Sequence, residues 1–251
     1  MEGIEGEELI MANIIKLGSL CLDDHLMAAG REYIPGQRIS IKDTKPGNEL
    51  CWVVVNGLLI ADRCLLTNIS WDNLEQQGMV FGKQLCIDRA KYLCRLLKLG
   101  NQKGIQSKWT TALAAVGDDS DELWHWNEKF TWGQESSAKY EVRRATCGYS
   151  SADEWCGILS SVRNSHTGFR PVLEPKFSDF SELKAGAELQ VWVNQQIIRG
   201  RLVELTDYDV VLACEGNSHA DKKDLKLIAA ARPEGLIIAR DNVRGAQVLD
   251  D

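Results

Sequence analysis

The chain has 251 residues, 44% of them hydrophobic and 26% charged, with a formal net charge of −7 at pH 7. That length holds one large domain or two smaller ones, each able to bury a core. The acidic balance argues against a general binder of nucleic acid or anionic membranes, which carries a basic excess, and no apolar run reaches the ~18 residues of a membrane span.

The segment Met1 to Glu8 is acidic and has no basic stretch before an apolar one, so no secretory signal is expected, and Met11 is an alternative start. A cytoplasmic or virion-associated protein is the expectation. Residues 12–24 and 38–43 carry short β-like patterns separated by Pro35-Gly36. Next comes the strongest local signal, Trp52-Val53-Val54-Val55, then Asn56-Gly57, then Leu58-Leu59-Ile60-Ala61. Asn-Gly between two β-prone runs predicts a two-residue hairpin turn, because both turn residues need positive φ. Ser70 caps a short helix from Trp71. Lys83 to Leu97 reads as two strands around Asp88-Arg89-Ala90, and Trp109 to Val116 as a helix ended by Gly117.

Leu123 to Glu135 is aromatic without clean periodicity, which predicts a long packed loop. Arg144 to Tyr149 is a strand, Ser150 to Thr167 an irregular polar loop, and Phe169 to Leu173 a closing strand. Phe177 to Ser181 reads as a linker. Beyond it, Glu188–Val193 and Ile197–Leu205 form a hairpin, followed by strands at Asp209–Ala213, Leu225–Ala230, Leu236–Ala239 and Ala246–Leu249, with a polar loop at Asn217–Asp224. Several short strands in so few residues predict a small barrel, and Gly200 allows a strand to bend.

The eight cysteines form no Cys-x-x-Cys pair and no zinc-ligand spacing with the scattered His25, His125, His166 and His219. They read as reduced thiols, most of them small core hydrophobes. No metal and no cofactor is expected.

Read in order, Cys94-Arg95-Leu96-Leu97, Trp109, Trp124-His125-Trp126, Thr131-Trp132-Gly133-Gln134-Glu135, Cys147-Gly148-Tyr149-Ser150-Ser151-Ala152 and Gly168-Phe169-Arg170-Pro171-Val172-Leu173-Glu174 resemble the C-type-lectin-like fold. The nearer likeness is to its branch of formylglycine-generating-type domains and of the variable proteins of phages and diversity-generating retroelements. The resemblance covers about half the chain, from about residue 50 to 174. Cys147 stands where that family more often has Arg, and Gly133 where it often has Cys.

The expected fold is therefore α+β: an N-terminal segment 1–49, a C-type-lectin-like domain over 50–175, and a small all-β barrel of SH3-like or Sm-like type over 182–251. The resemblance implies a non-enzymatic binding and display protein for a protein or glycan, with residues before Gly168 as the segment such proteins vary. Small polar residues with Trp and Arg suit an adaptable recognition surface. The candidate ligand-binding residues are Trp124, Trp126, Ser150, Asp153 and Trp155, with Ser160, Arg163, Asn164 and His166 further along. Phe169 and Trp132 read as core anchors, and Arg170, with its five donors, as a maker of structural hydrogen bonds.

Two alternatives stand beside this reading. The resemblance to formylglycine-generating enzymes implies a copper site, for which Cys147 and Cys156 are the candidate thiolates. Likeness of the barrel to Sm-type folds implies RNA binding through Asn194 and Arg240, although no Gly follows that Arg. A barrel used for attachment or homo-oligomerisation fits the acidic chain better.

Overall fold

The computed structural model describes residues 12–194, 196–213, 229–232 and 235–250. The described residues are predominantly β, with three short α-helices among them: α1 at Trp71–Gln76, α2 at Lys108–Val116 and α3 at Asp121–Trp124. Among the described residues no helix is long and apolar enough to cross a membrane.

Two six-stranded sheets build the first unit. One is antiparallel throughout, in the order Ile14–Lys16, Cys51–Val55, Leu58–Ala61, Pro171–Pro175, Ala90–Leu96, Lys83–Ile87. The Asn56-Gly57 turn closes its central hairpin as its sequence requires, with φ 50° and 75°. The second sheet runs Trp155–Leu159, Arg143–Gly148, Phe130–Ser136, Thr167–Phe169, Leu66–Thr67, Arg31–Glu32. A small three-stranded sheet, His25–Leu26, Ser19–Leu22 and Ile39–Lys42, completes the unit, so residues 12–49 belong to it through Ile14–Lys16.

Three sequence expectations need correction. The stretch 123–135 is not one loop: it holds the end of α3 and most of strand Phe130–Ser136. The polar stretch 150–167 contains the edge strand Trp155–Leu159. Both strands lack strict alternation because they carry Trp or Gly where packing, not period, sets the side chain. The closing segment is two strands instead of one. Thr167–Phe169 lies in the second sheet and Pro171–Pro175 in the first, and Arg170 is the residue at which the chain changes sheets.

Arg170 is 2% exposed. It donates from Nη1 to the carbonyls of Ala61 (3.2 Å) and Asp62 (2.8 Å), and from Nη2 to the carbonyl of Trp124. Burial holds its pKa below the ordinary arginine value. The preceding Gly168 has no room for a side chain: a Cβ there would lie 2.6 Å from Cys64 Sγ and 2.9 Å from Leu66 O. Gly-Phe-Arg is thus a packing and crossover element, with Phe169 in the core as expected.

All eight tryptophan indoles donate a hydrogen bond, which large buried aromatics with a polar handle require. Trp52, Trp71 and Trp132 bond Leu17 O, Gly133 O and Ile69 O and sit in one core; Trp109 and Trp124 pack edge to face at 4.8 Å in another.

The third six-stranded sheet forms the C-terminal unit, in the order Ala229–Arg232, Gly235–Ala239, Asp209–Ala213, Gln196–Leu205, Glu188–Val193, Val243–Val248. The expected strands 188–193, 209–213 and 236–239 are present, and the loop 217–224 and residues 225–228 lie outside the described residues. This unit has its own core of Leu189, Val191, Ile198, Leu202, Val210 and Leu212. It does not hang on a free tether. Trp192, Ile197 and Leu249 join the core of the first unit, Gln190 Nε2 donates to Tyr92 Oη at 2.8 Å, and Gln247 Nε2 to Lys91 O at 2.6 Å. The expected linker lies against this unit: Ser178 N bonds Ala246 O at 2.8 Å and Phe177 packs on Trp192.

Candidate functional site

The turn 149–154 joins strands Arg143–Gly148 and Trp155–Leu159, and its two sides carry different surfaces. In this antiparallel pair Cys147 faces Trp155 and Thr146 faces Cys156. Side chains of directly opposed residues share a face, and neighbours along a strand alternate. Cys147 and Trp155 therefore lie on one face, and Cys156 on the other.

On the Trp155 face is a groove of about 520 Å³. Leu99, Ile105, Cys147 and Trp155 give it an apolar floor; Gln102, Lys103, Gln106, Thr110, Thr111 and Asp153 stand around it. Ser107 positions the wall. It caps α2 by accepting from Thr110 N at 3.1 Å, and Thr110 returns the bond to Ser107 N at 2.8 Å. Trp155 Nε1 ties the facing loop by donating to Gly100 O at 3.1 Å. The Cys147 thiol is pushed up to about 12, first by burial and then by the carboxylates of Asp153 and Glu135. A thiol held protonated at neutral pH is a poor nucleophile, so Cys147 serves this groove as apolar surface.

On the other side of the turn is an aromatic platform. The Phe130 and Tyr149 rings stack at 4.9 Å, and His166 meets Tyr149 edge-on at 5.6 Å. Tyr149 holds φ 88°, a conformation rare for a bulky residue. Backbone bonds impose it: Tyr149 N donates to Trp126 O at 3.1 Å, and Glu128 N to Tyr149 O at 2.9 Å. Gly148 before it accepts no side chain, since a Cβ would fall 2.2 Å from Lys129 O.

A third polar group lies at the crossover. Arg63 forms a fork on Asp62, with Nη2 to Oδ2 at 2.7 Å, and the same Nη2 is 2.9 Å from His125 Nε2. His125 Nδ1 is 4.0 Å from Asp62 Oδ2. Asp62 is buried and accepts the charge of Arg63, which raises the Arg63 pKa above its ordinary value. This network fastens the α3 loop to strand Leu58–Ala61.

The sequence-based site residues divide among these surfaces. Asp153 and Trp155 line the groove. Trp126 is half-buried against the core of Trp109 and Trp124 with Nε1 on Asp119 O at 2.8 Å, Ser150 bonds Glu154, and His166 is part of the platform, with Nδ1 at 3.0 Å from Glu128 O. Asn164 shapes the loop, its Oδ1 accepting from His166 N and Thr167 N at 2.9 Å. Ser160 is half-buried and joins α1 through Asp72 N at 3.2 Å, while Arg163 is exposed away from both surfaces' described contacts. Trp124 is a correction: at 0% exposure, with its indole on Asp118 O, it supports the loop and cannot meet a ligand. The missed residues are the α2 wall, Thr110, Thr111 and Ala114, and the platform ring Tyr149. The first had a signal in the polar run between Gly100 and the Ser107 cap; the second had none beyond its place after Gly148.

The thiolate pair expected for a copper centre is not built, because Cys147 and Cys156 point to opposite faces. Among the described residues no group of three or more His, Cys, Asp or Glu is placed to hold a metal ion. In the C-terminal unit, Asn194 is a turn residue at φ 53°, and Arg240 is engaged over the Phe180 ring at 4.3 Å and with Thr206 O at 3.2 Å.

Compared with protein-family models, with curated proteins and with solved structures, the chain matches none.

Proposed function

We propose that this chain is a non-enzymatic binding protein whose first unit, of C-type-lectin-like type, takes a protein or glycan ligand in the groove beside Trp155. The observation that carries this reading is the groove itself. A volume of about 520 Å³ with an apolar floor and a ring of amides and hydroxyls is the composition of a ligand cleft. Its residues come from a strand pair, a capped helix and the loop 99–106, which Trp155 ties through Gly100 O, so the surface is displayed on a fixed scaffold. Residues 150–167, the segment that varies in the retroelement-encoded proteins the chain resembles, border it through Asp153 and Trp155. The C-terminal unit, read as an SH3-like or Sm-like barrel, attaches or multimerises the protein. A cytoplasmic or virion-associated place fits this role.

The test is binding to glycan and protein arrays, with Ala114→Arg as the probe variant. Ala114 is exposed on α2 and lines the groove, so an arginine there obstructs the cleft while the helix tolerates it. Array ligands of the unaltered protein are expected to be lost in Ala114→Arg at unchanged melting temperature. Ligands retained at full strength by that variant refute the groove as the site.

A further inference from the structure

We propose that the Phe130–Tyr149–His166 platform is a second recognition surface, which takes an arginine or lysine side chain of a protein partner. It is separate from the groove and does not depend on it, since the two lie on opposite sides of the turn 149–154.

Three observations converge. First, the platform reaches solvent: Tyr149 is 39% exposed and its ring is backed by Phe130 at an interplanar angle of 12°. A stacked ring pair held in place presents the negative face of the ring quadrupole, which attracts a cation within ~6 Å. Second, the surroundings are acidic. Asp121 Oδ1 accepts from Asn127 N at 2.6 Å, the indole of Trp126 reaches Asp119, Glu128 bonds both Tyr149 and His166 through its backbone, and Glu154 lies against Ser150. Asp121 and Glu154 make these contacts through their carboxylates, and Asp119 and Glu128 are exposed residues of the same stretch; the cations beside them are Lys129, whose Nζ is turned to Ser165 O at 2.9 Å, and Arg63, which is paired with Asp62. Third, the backbone is fixed in costly geometry at the same place: His125, Glu128 and Tyr149 all have positive φ, of 46°, 56° and 88°. Such outliers persist where the surrounding structure over-determines them, so the rings need no reordering when a partner arrives. Charge complementarity favours a basic side chain over a neutral sugar or an acidic peptide.

The probe is an acetylated, amidated tetra-arginine peptide, titrated at low salt and followed by NMR shifts of the Tyr149 and Phe130 ring protons and by calorimetry. A tetra-glutamate peptide is the control. The unaltered protein is expected to bind tetra-arginine and not tetra-glutamate, with affinity that weakens as salt screens the carboxylates. Tyr149→Gly removes the ring and suits φ 88°; it is expected to keep the melting temperature and weaken binding about 2- to 30-fold. Tyr149→Phe retains binding. Equal affinity in Tyr149→Gly means diffuse attraction to an acidic chain and overturns the proposal, as does binding of tetra-glutamate to the same rings. Should Tyr149→Gly perturb the fold, the pair Glu128→Gln with Glu154→Gln leaves the rings in place. That pair must lower affinity and flatten the salt dependence, and unchanged values overturn the proposal.

Discussion

Replacing Arg170 tests whether the Gly-Phe-Arg element holds the two sheets together. Arg170→Met keeps the length of the stem and removes the fork. Three carbonyls, those of Ala61, Asp62 and Trp124, then lose their donor inside the protein. A buried acceptor left unsatisfied costs about 1–3 kcal/mol. Arg63 stays on the Asp62 carboxylate and does not replace the donor that the Asp62 carbonyl loses, and some relaxation at Trp124 is expected. The stack of the guanidinium on Trp109 at 5.5 Å goes as well. Together these give a loss of about 3–5 kcal/mol, the range seen when one partner of a buried charge network is deleted. For a chain of this size that is a fall in melting temperature of about 6–20 °C. Arg170→Lys keeps the cation and cannot fork to two segments, so about half the loss is expected. Urea denaturation followed by tryptophan fluorescence measures both, with Arg163→Met on the exposed loop as a control within about 0.5 kcal/mol. An Arg170→Met loss under about 1 kcal/mol, or one equal to the control, refutes the crossover role.

Stability is expected to fall above pH 9. Burial pushes the Cys94 and Cys147 thiols up to about 12 from 9.0, and the Tyr92 hydroxyl up to about 12 from 10.0. Between those values the unfolded chain gives up protons that the folded chain retains, so the slope is negative, about 1.4 kcal/mol per pH unit for each group. Cys94→Ala with Cys147→Ala flattens the melting-temperature profile from pH 9 to 10.5; an unchanged slope refutes this. The Gln247→Ala change leaves the Trp192 indole and Gln190 Nε2 without their shared acceptor at 3.0 Å, a loss of about 2–4 kcal/mol. Faster exchange of the Trp192 indole proton reports it, and protection equal to that of the unaltered protein counts against a rigid junction between the units.

The hairpin at Asn56-Gly57, the Ser70 cap and the C-terminal strands were legible because each rests on local chemistry: a turn that needs positive φ, a hydroxyl that meets an N–H, an alternating run. Arg170 was legible as a structural residue because an arginine between Phe169 and Pro171 has many donors to satisfy. The site was less so. Trp124 and Trp126 are two residues apart with similar neighbours, yet the first is fully buried and the second only half-buried at the edge of the same core. What separates them is the positive φ of His125, which turns the chain between them. Nor can a linear segment show that Cys147 and Cys156 face apart, since that depends on the register in which their strands pair.

The two surfaces beside the turn 149–154 share one physical cause. Tyr149 at positive φ reverses the chain just where strand Arg143–Gly148 ends, and Gly148 admits Lys129 O so closely that the turn has no slack. The same turn sends Ala152 O to the Trp109 indole at 2.7 Å, which seats α2 and with it the wall of the groove. Platform and groove are therefore built by one rigid connection, and ordering either upon binding costs little conformational entropy. A substitution that loosens this connection, such as Gly148→Ala, is thus expected to weaken both surfaces together, whereas Ala114→Arg and Tyr149→Gly each act on one.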